Sequence, residues 1–261
     1  MGLGRLRTTP NHPEPLRTTP NHPEPPRQTR VINKIVASAA AAVADVADGA
    51  TVMIGGFGTA GMPTELVDAL IAQGPRDLTI VSNNAGNAET GLAALLKARQ
   101  VRKIICSFPR QVDSWVFDGL FRAGEIELEL VPQGNLAERI RAAGAGIGAF
   151  YTPTGYGTPL AEGKETRRID GRDYLLEYPI HGDFALIQAL QGDRWGNLVY
   201  RKTARNFGPI MASAASCTIA QVREVVELGE LDPEAVVTPG IFVQRVVELP
   251  RARAAPGGVA A

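Results

Sequence analysis

Gly56-Phe57-Gly58-Thr59-Ala60-Gly61 sets three glycines in a GxGxxG spacing, between an apolar run at 51–55 (TVMIG) and an amphipathic run opening at Pro63. Glycines so placed let main-chain N–H groups approach a phosphate at a helix N-terminus. A dinucleotide site also wants an acidic residue about twenty positions on, to hold ribose hydroxyls. The next apolar run, 78–82 (LTIVS), closes on Asn83 and Asn84 instead. Neutral amides in that place argue against NAD. They can donate to a carboxylate or carbonyl without adding charge. Gln133, after a later apolar run at 126–132, occupies the equivalent position. Three readings stand: a dinucleotide site, a purely structural turn, and a site for a ligand carrying both phosphates and a carbonyl.

The elements that must position these residues follow from periodicity. Helical spacing at 34–47, 64–74, 89–98, 111–122 and 134–143 alternates with strand-like runs at 51–55, 78–82, 102–106 and 126–132. Alternation of this kind predicts an α/β fold, an open, mostly parallel sheet with helices on both faces. Further strands are expected at 173–178, 184–190, 197–200, 217–221 and 241–248, making the second half partly antiparallel. The glycine-rich stretch 144–163 reads as a long flexible loop.

Composition bounds the function. Lys plus Arg and Asp plus Glu are 27 each, so bulk charge does not drive nucleic-acid binding. A net charge of zero also lowers self-repulsion and favours a partner chain. The two cysteines, Cys106 and Cys217, form no CxxC or Cys/His cluster, and no metal site is expected. No apolar run reaches the roughly 18–20 residues of a spanning helix. A cytoplasmic protein without membrane contact is the expectation.

Residues 6–15 and 16–25 are the same decapeptide, LRTTPNHPEP. The leader 1–30, rich in proline and poor in apolar residues, is expected to be extended and mobile. The folded domain reads as 31–249, with Val31 a candidate native start that N-terminal sequencing would test, and 250–261 as a disordered tail.

Several blocks carry a resemblance. DGATVMIGGFGTAGMP (48–63), SNNAG (82–86), PQGNLAERIR (132–141), FYTPTGYGT (150–158), AEGKE (161–165) and ARNFGPIM (204–211) are similar, in order, to the A subunit of the family I coenzyme A transferases. The likeness runs from about residue 31 to 248. It implies a NagB/RpiA-like fold and a ping-pong reaction. A glutamate attacks an acyl-CoA to give a mixed anhydride and then a glutamyl-CoA thioester. That glutamate belongs to the B subunit, so no catalytic nucleophile is assigned in this chain. The tempting substitute, Glu65, is better explained by the dipole of the helix it opens.

The resemblance also implies a heterotetramer of two A and two B chains, with no resident cofactor and a coenzyme A thioester as substrate. Gly55, Gly56, Phe57, Gly58, Thr59, Ala60 and Gly61 would form the CoA loop. Asn83 and Gln133 would hydrogen-bond the reacting carboxyl. CSFPRQ (106–111) followed by VDSWVF is similar to the family's 3-oxoadipate branch, with succinyl-CoA as donor. The acetoacetate branch is the alternative acceptor class. Arg110 is a candidate for the second carboxylate of 3-oxoadipate, against the plainer reading of a surface ion pair. Lys164 could steer CoA phosphates or simply be solvated, and His181 reads as a core or turn residue. A CoA- or nucleotide-binding module without chemistry of its own is the competing class.

Overall fold

The computed structural model describes residues 31–249, and its compact unit begins at Ile32. The leader, with its tandem repeat, and the tail from Pro250 lie outside the described residues.

Nineteen elements follow in chain order: α1 (Ala39–Val43), β1 (Thr51–Ile54), α2 (Thr64–Gln73), β2 (Leu78–Val81), α3 (Leu92–Lys97), β3 (Val101–Cys106), α4 (Trp115–Arg122), β4 (Glu127–Leu130), α5 (Gln133–Gly144), β5 (Phe150–Thr152), β6 (Thr166–Ile169), β7 (Arg172–Glu177), β8 (Gly182–Gln188), β9 (Gln191–Asp193), β10 (Leu198–Val199), α6 (Gly208–Ala214), β11 (Ala215–Val222), β12 (Glu224–Val226) and β13 (Arg245–Glu248). The central sheet has seven strands in the order β13-β11-β8-β1-β2-β3-β4, every neighbouring pair parallel.

A sheet covered on both faces needs strands that are apolar at every position, with successive side chains going to opposite sides. Val52 and Ile54 of β1, Ile80 of β2, Ile104 of β3 and Leu186 of β8 pack on one side with α1 to α4. Met53, Val81, Ile105, Ala185 and Ile187 pack on the other, against Leu136 and Ile140 of α5 and Met211 of α6. Each fully buried Ile or Leu contributes about 1.5–3 kcal/mol.

The chain leaves β1 for the α2 face and β8 for the α6 face. The sheet therefore reverses its winding between β1 and β8, and the crevice outside the strands' carboxyl ends there is the usual ligand position of such folds.

The structure corrects the sequence expectation in three places. The first helix covers only 39–43, with the Ser38 side chain capping Ala41 N–H. Residues before it are claimed by the sheet edge, where Val36 N–H donates to Val246 and Val246 N–H to Lys34. The antiparallel pairings do not extend the main sheet; they lie in two small sheets, β5-β7-β6, antiparallel throughout, and β10-β9-β12, in which β9 pairs antiparallel with β10 and parallel with β12. Within 144–163 the chain is not a featureless loop. Phe150–Thr152 pairs with Leu175–Glu177, and Thr158 caps a short 3-10 turn at Pro159–Ala161.

Lys164, read from the sequence as a solvated lysine or a guide for phosphates, is partly buried in an ion pair. Its Nζ lies 2.6 Å from Oε1 of Glu177, a buried carboxylate on β7 that also receives Asn135 Nδ2 from α5. The ion pair ties the turn before β6 to β7, and the Asn135 bond links that small sheet to α5.

Candidate active site

Four successive strands end on the same edge, and each end delivers part of one cavity of about 450 Å³. Phe57 and Gly58 follow β1, Asn83 and Asn84 follow β2, Ser107 and Phe108 follow β3, and Gln133 follows β4. Its remaining lining residue is Gln111.

Asn83 is buried, and its amide is fixed by its neighbours. Oδ1 accepts from Gln133 Nε2 at 2.7 Å and from Ser107 Oγ at 2.9 Å. With the oxygen engaged twice, the NH₂ is the group left for a ligand. Asn84 plays two parts. Its Oδ1 accepts from Gly86 N–H at 2.8 Å, the turn-forming role, while Nδ2 is buried with no hydrogen-bond partner among the described residues. An orphaned donor of this kind costs roughly 1–3 kcal/mol, a cost a bound acceptor would remove.

The glycine loop is a tight turn, with Phe57 and Ala60 exchanging main-chain hydrogen bonds at 3.0 and 3.2 Å. Asn206 holds it from outside: Gly56 N–H donates to its Oδ1 at 3.1 Å, and its Nδ2 donates to Ala60 O at 2.9 Å. Gly61 has φ +72, and a Cβ there would stand 2.3 Å from Ala204 O. Gly55 N–H donates to Leu186 O. The N–H groups of Gly58 and Thr59 form no main-chain hydrogen bond among the described residues, which leaves them for a ligand.

Cys106 ends β3 just under this wall, and burial pushes its thiol up to about 12. It is neutral and inert. The cavity lining thus offers amides, one hydroxyl and two aromatic rings, and no ionisable side chain. Such a site can orient a carboxyl or stabilise an oxyanion, but it carries no nucleophilic carboxylate and no base.

The structure brings Phe57, Gly58, Asn83 and Gln133 together. It does not bring Arg110 into the lining: Arg110 is exposed, and its Nε donates to Asp118 at 2.6 Å. Glu65 sits in the first turn of α2 and accepts from Gln221 Nε2 at 2.5 Å. His181 is exposed and lies outside the lining. Ser107, bonded to Asn83, and Asn206, bonded to the glycine loop, are residues to which sequence reasoning gave no individual role. Ser107 had a signal, since it follows β3 as Asn83 follows β2. Asn206 stood inside the block ARNFGPIM (204–211), but nothing local tied it to the loop 150 residues away that it holds.

A profile described as Coenzyme A transferase matches residues 36–249, and the chain belongs to that family of enzymes. More particularly, it is 72% identical over 224 residues to the A subunit of 3-oxoadipate CoA-transferase from Pseudomonas putida, covering 86% of this chain and 97% of the relative. It is 70% identical to the protein of the same name from Acinetobacter baylyi, covering 83% and 95%. Among solved structures, an acyl-CoA transferase from E. coli O157:H7, in a thioester complex with CoA, superposes with a TM-score of 0.76 at 26% identity. That match covers 87% of this chain and 52% of that one.

Proposed function

We propose that this chain is the A subunit of a two-subunit enzyme that moves CoA from succinyl-CoA to 3-oxoadipate. The observation that carries the proposal is the composition of the cavity: donors are fixed there in number, and the nucleophile is missing. A glutamate of the B subunit enters the cavity mouth between Phe57 and Phe108, which are 52% and 60% exposed. Its carboxylate attacks the succinyl-CoA carbonyl, and the CoA thiolate leaves. The thiolate then attacks the glutamyl carbonyl of the anhydride and expels succinate. The carboxylate of the 3-oxo acid reverses both steps. Covalent catalysis of this kind divides one hard exchange into easier ones.

This chain's part is to hold the oxyanion that each attack creates. The Asn83 NH₂, fixed by Ser107 and Gln133, and the Gly58 N–H are donors whose orientation is set before the charge develops. Close relatives named for 3-oxoadipate support the acceptor, and Arg110, exposed and next in sequence to the lining residue Gln111, is the group we assign to its distal carboxylate.

The test is reconstitution. The chain is purified alone and with its B subunit, and CoA esters are followed by chromatography with succinyl-CoA plus either 3-oxoadipate or acetoacetate. The complex is expected to transfer CoA, with 3-oxoadipate preferred, and the isolated chain to be inert. Full turnover by the isolated chain would overturn the shared-site reading.

A further inference from the structure

Glu177 is a carboxylate that the proposed reaction does not use, yet its side chain is only 3% exposed. It ends β7 of the small sheet and meets three donors. Lys164 Nζ lies 2.6 Å from Oε1, Asn135 Nδ2 donates to the same oxygen at 3.4 Å, and Arg139 Nε stands 3.8 Å from Oε2 as an ion pair. An apolar side chain there would pack the small sheet against α5 without the desolvation of a charge. What an apolar contact lacks is direction, whereas a carboxylate requires its donors at set places.

Two of the donors stand on one helix. Asn135 and Arg139 are four residues apart in α5, hence on one face of it. Asn135 is buried and also donates to Thr154 O at 3.2 Å. Arg139 Nε donates to Tyr178 O at 2.7 Å, and the Arg139 carbonyl accepts from Ile180 N–H at 3.0 Å. This face of α5 is therefore held at two successive turns by Glu177 and the chain that follows it. A helix held at two turns along one face resists rolling about its axis.

Gln133 stands two residues before Asn135 and so points roughly 200° around the helix from it, to the opposite side. There its Nε2 reaches Asn83 Oδ1 at 2.7 Å. At about 5 Å from the axis, a roll of about 20° would shift that amide by about 1.7 Å, enough to break the bond. We infer that Glu177 is a positioning residue for the transfer reaction: with Lys164, Asn135 and Arg139 it sets the roll of α5 and so aims Gln133 at Asn83. The inference rests on the CoA-transferase reading above and adds to it residues that lie outside the cavity lining.

The experiment is a double-mutant cycle in the two-chain complex, pairing Glu177→Gln with Gln133→Leu. Glu177→Gln keeps the shape of the side chain and removes its charge. It should lower kcat ~10-fold, with KM for succinyl-CoA within ~2-fold. In the Gln133→Leu background the same change should lower kcat less than ~2-fold, because no amide is left to misaim. The thermal midpoint should fall equally in both backgrounds. Equal fold losses of kcat in the two backgrounds, or no loss in either, would overturn the inference and leave Glu177 a structural ion pair. Lys164, whose side chain is 31% exposed, supplies a second variant should Glu177→Gln not fold, and Lys164→Met should repeat the pattern. A crystal structure of either variant complex should show Gln133 Nε2 more than about 3.2 Å from Asn83 Oδ1, and an unmoved contact would overturn the inference. That readout needs no turnover, so a complex that transfers no CoA to any 3-oxo acid would sink the functional reading while the contact still decides the positioning one.

Discussion

Gln133 Nε2 donates to Asn83 Oδ1 at 2.7 Å, joining residues 50 apart in sequence across the ends of β2 and β4. One amide spends its donor so that another can aim its own. Gln133 lies at the first position of α5, exposed on the edge, so its removal takes nothing from the core.

Gln133→Leu should therefore lower kcat of the reconstituted enzyme ~10²–10³-fold, the usual loss when an oxyanion donor is removed or misdirected. The thermal midpoint should hardly move. Ser107→Ala, which removes the other bond to the same oxygen, should cost up to ~10-fold, as one neutral hydrogen bond does. A drop in melting temperature matching the loss of rate would assign Gln133 to stability instead.

Gly61 and Gly58 separate steric from conformational demand. Both have positive φ, +72 and +59, but only Gly61 faces an obstacle, with Ala204 O at 2.3 Å from a built Cβ. Gly58→Ala should cost about 1–2 kcal/mol of left-handed strain. Gly61→Ala must displace the segment 204–206 as well, and should cost more in urea denaturation and abolish most of the transfer activity. Equal losses at the two positions would contradict the packing described for Gly61.

Arg110→Leu tests acceptor selectivity. Its ion pair with the partly buried Asp118 leaves the guanidinium exposed and contributes at most about 1 kcal/mol to stability. If the guanidinium receives the distal carboxylate, KM for 3-oxoadipate should rise ~10-fold or more while that for acetoacetate stays within ~2-fold. Equal shifts for the two acceptors would leave Arg110 as the surface ion pair that its geometry already displays.

Alkaline stability should report on Cys106. Burial pushes its thiol up to about 12, whereas an unfolded thiol ionises near pH ~8.5. Above that pH the unfolded chain releases the proton first. The stability contributed by the buried neutral thiol is thus whole below pH ~8.5 and is lost as the pH climbs toward 12. Urea midpoints at pH 8, 10 and 11 should fall less steeply in Cys106→Ala. Tyr200, also raised to about 12 by burial, acts in the upper part of the same window and remains in the variant. Identical slopes would remove Cys106 from the account.

How much of this was legible in the sequence depended on the range of the interaction. The four strands that end at the cavity showed themselves as short apolar runs, and the amides after them stood at predictable positions. Asn83 and Gln133 could be found that way because a parallel sheet puts all such ends on one edge. Ser107 obeyed the same rule but was overshadowed by the arginine three residues on, in CSFPRQ. The short first helix escaped because alanine propensity at 37–47 is real, yet Ile35 and Val36 gain more by pairing with β13. The strand at 150–152 was hidden by glycines on either side, and the partner of Lys164 lay on a strand 13 residues on, where no local pattern points.

The cavity walled by amides, rings and a hydroxyl has one more consequence. Nothing in that lining is a carboxylate or a base, so on the shared-site proposal a copy of this polypeptide made in excess of its companion would leave the acyl-CoA around it intact. Chemical danger and chemical usefulness arrive together, at the moment of assembly.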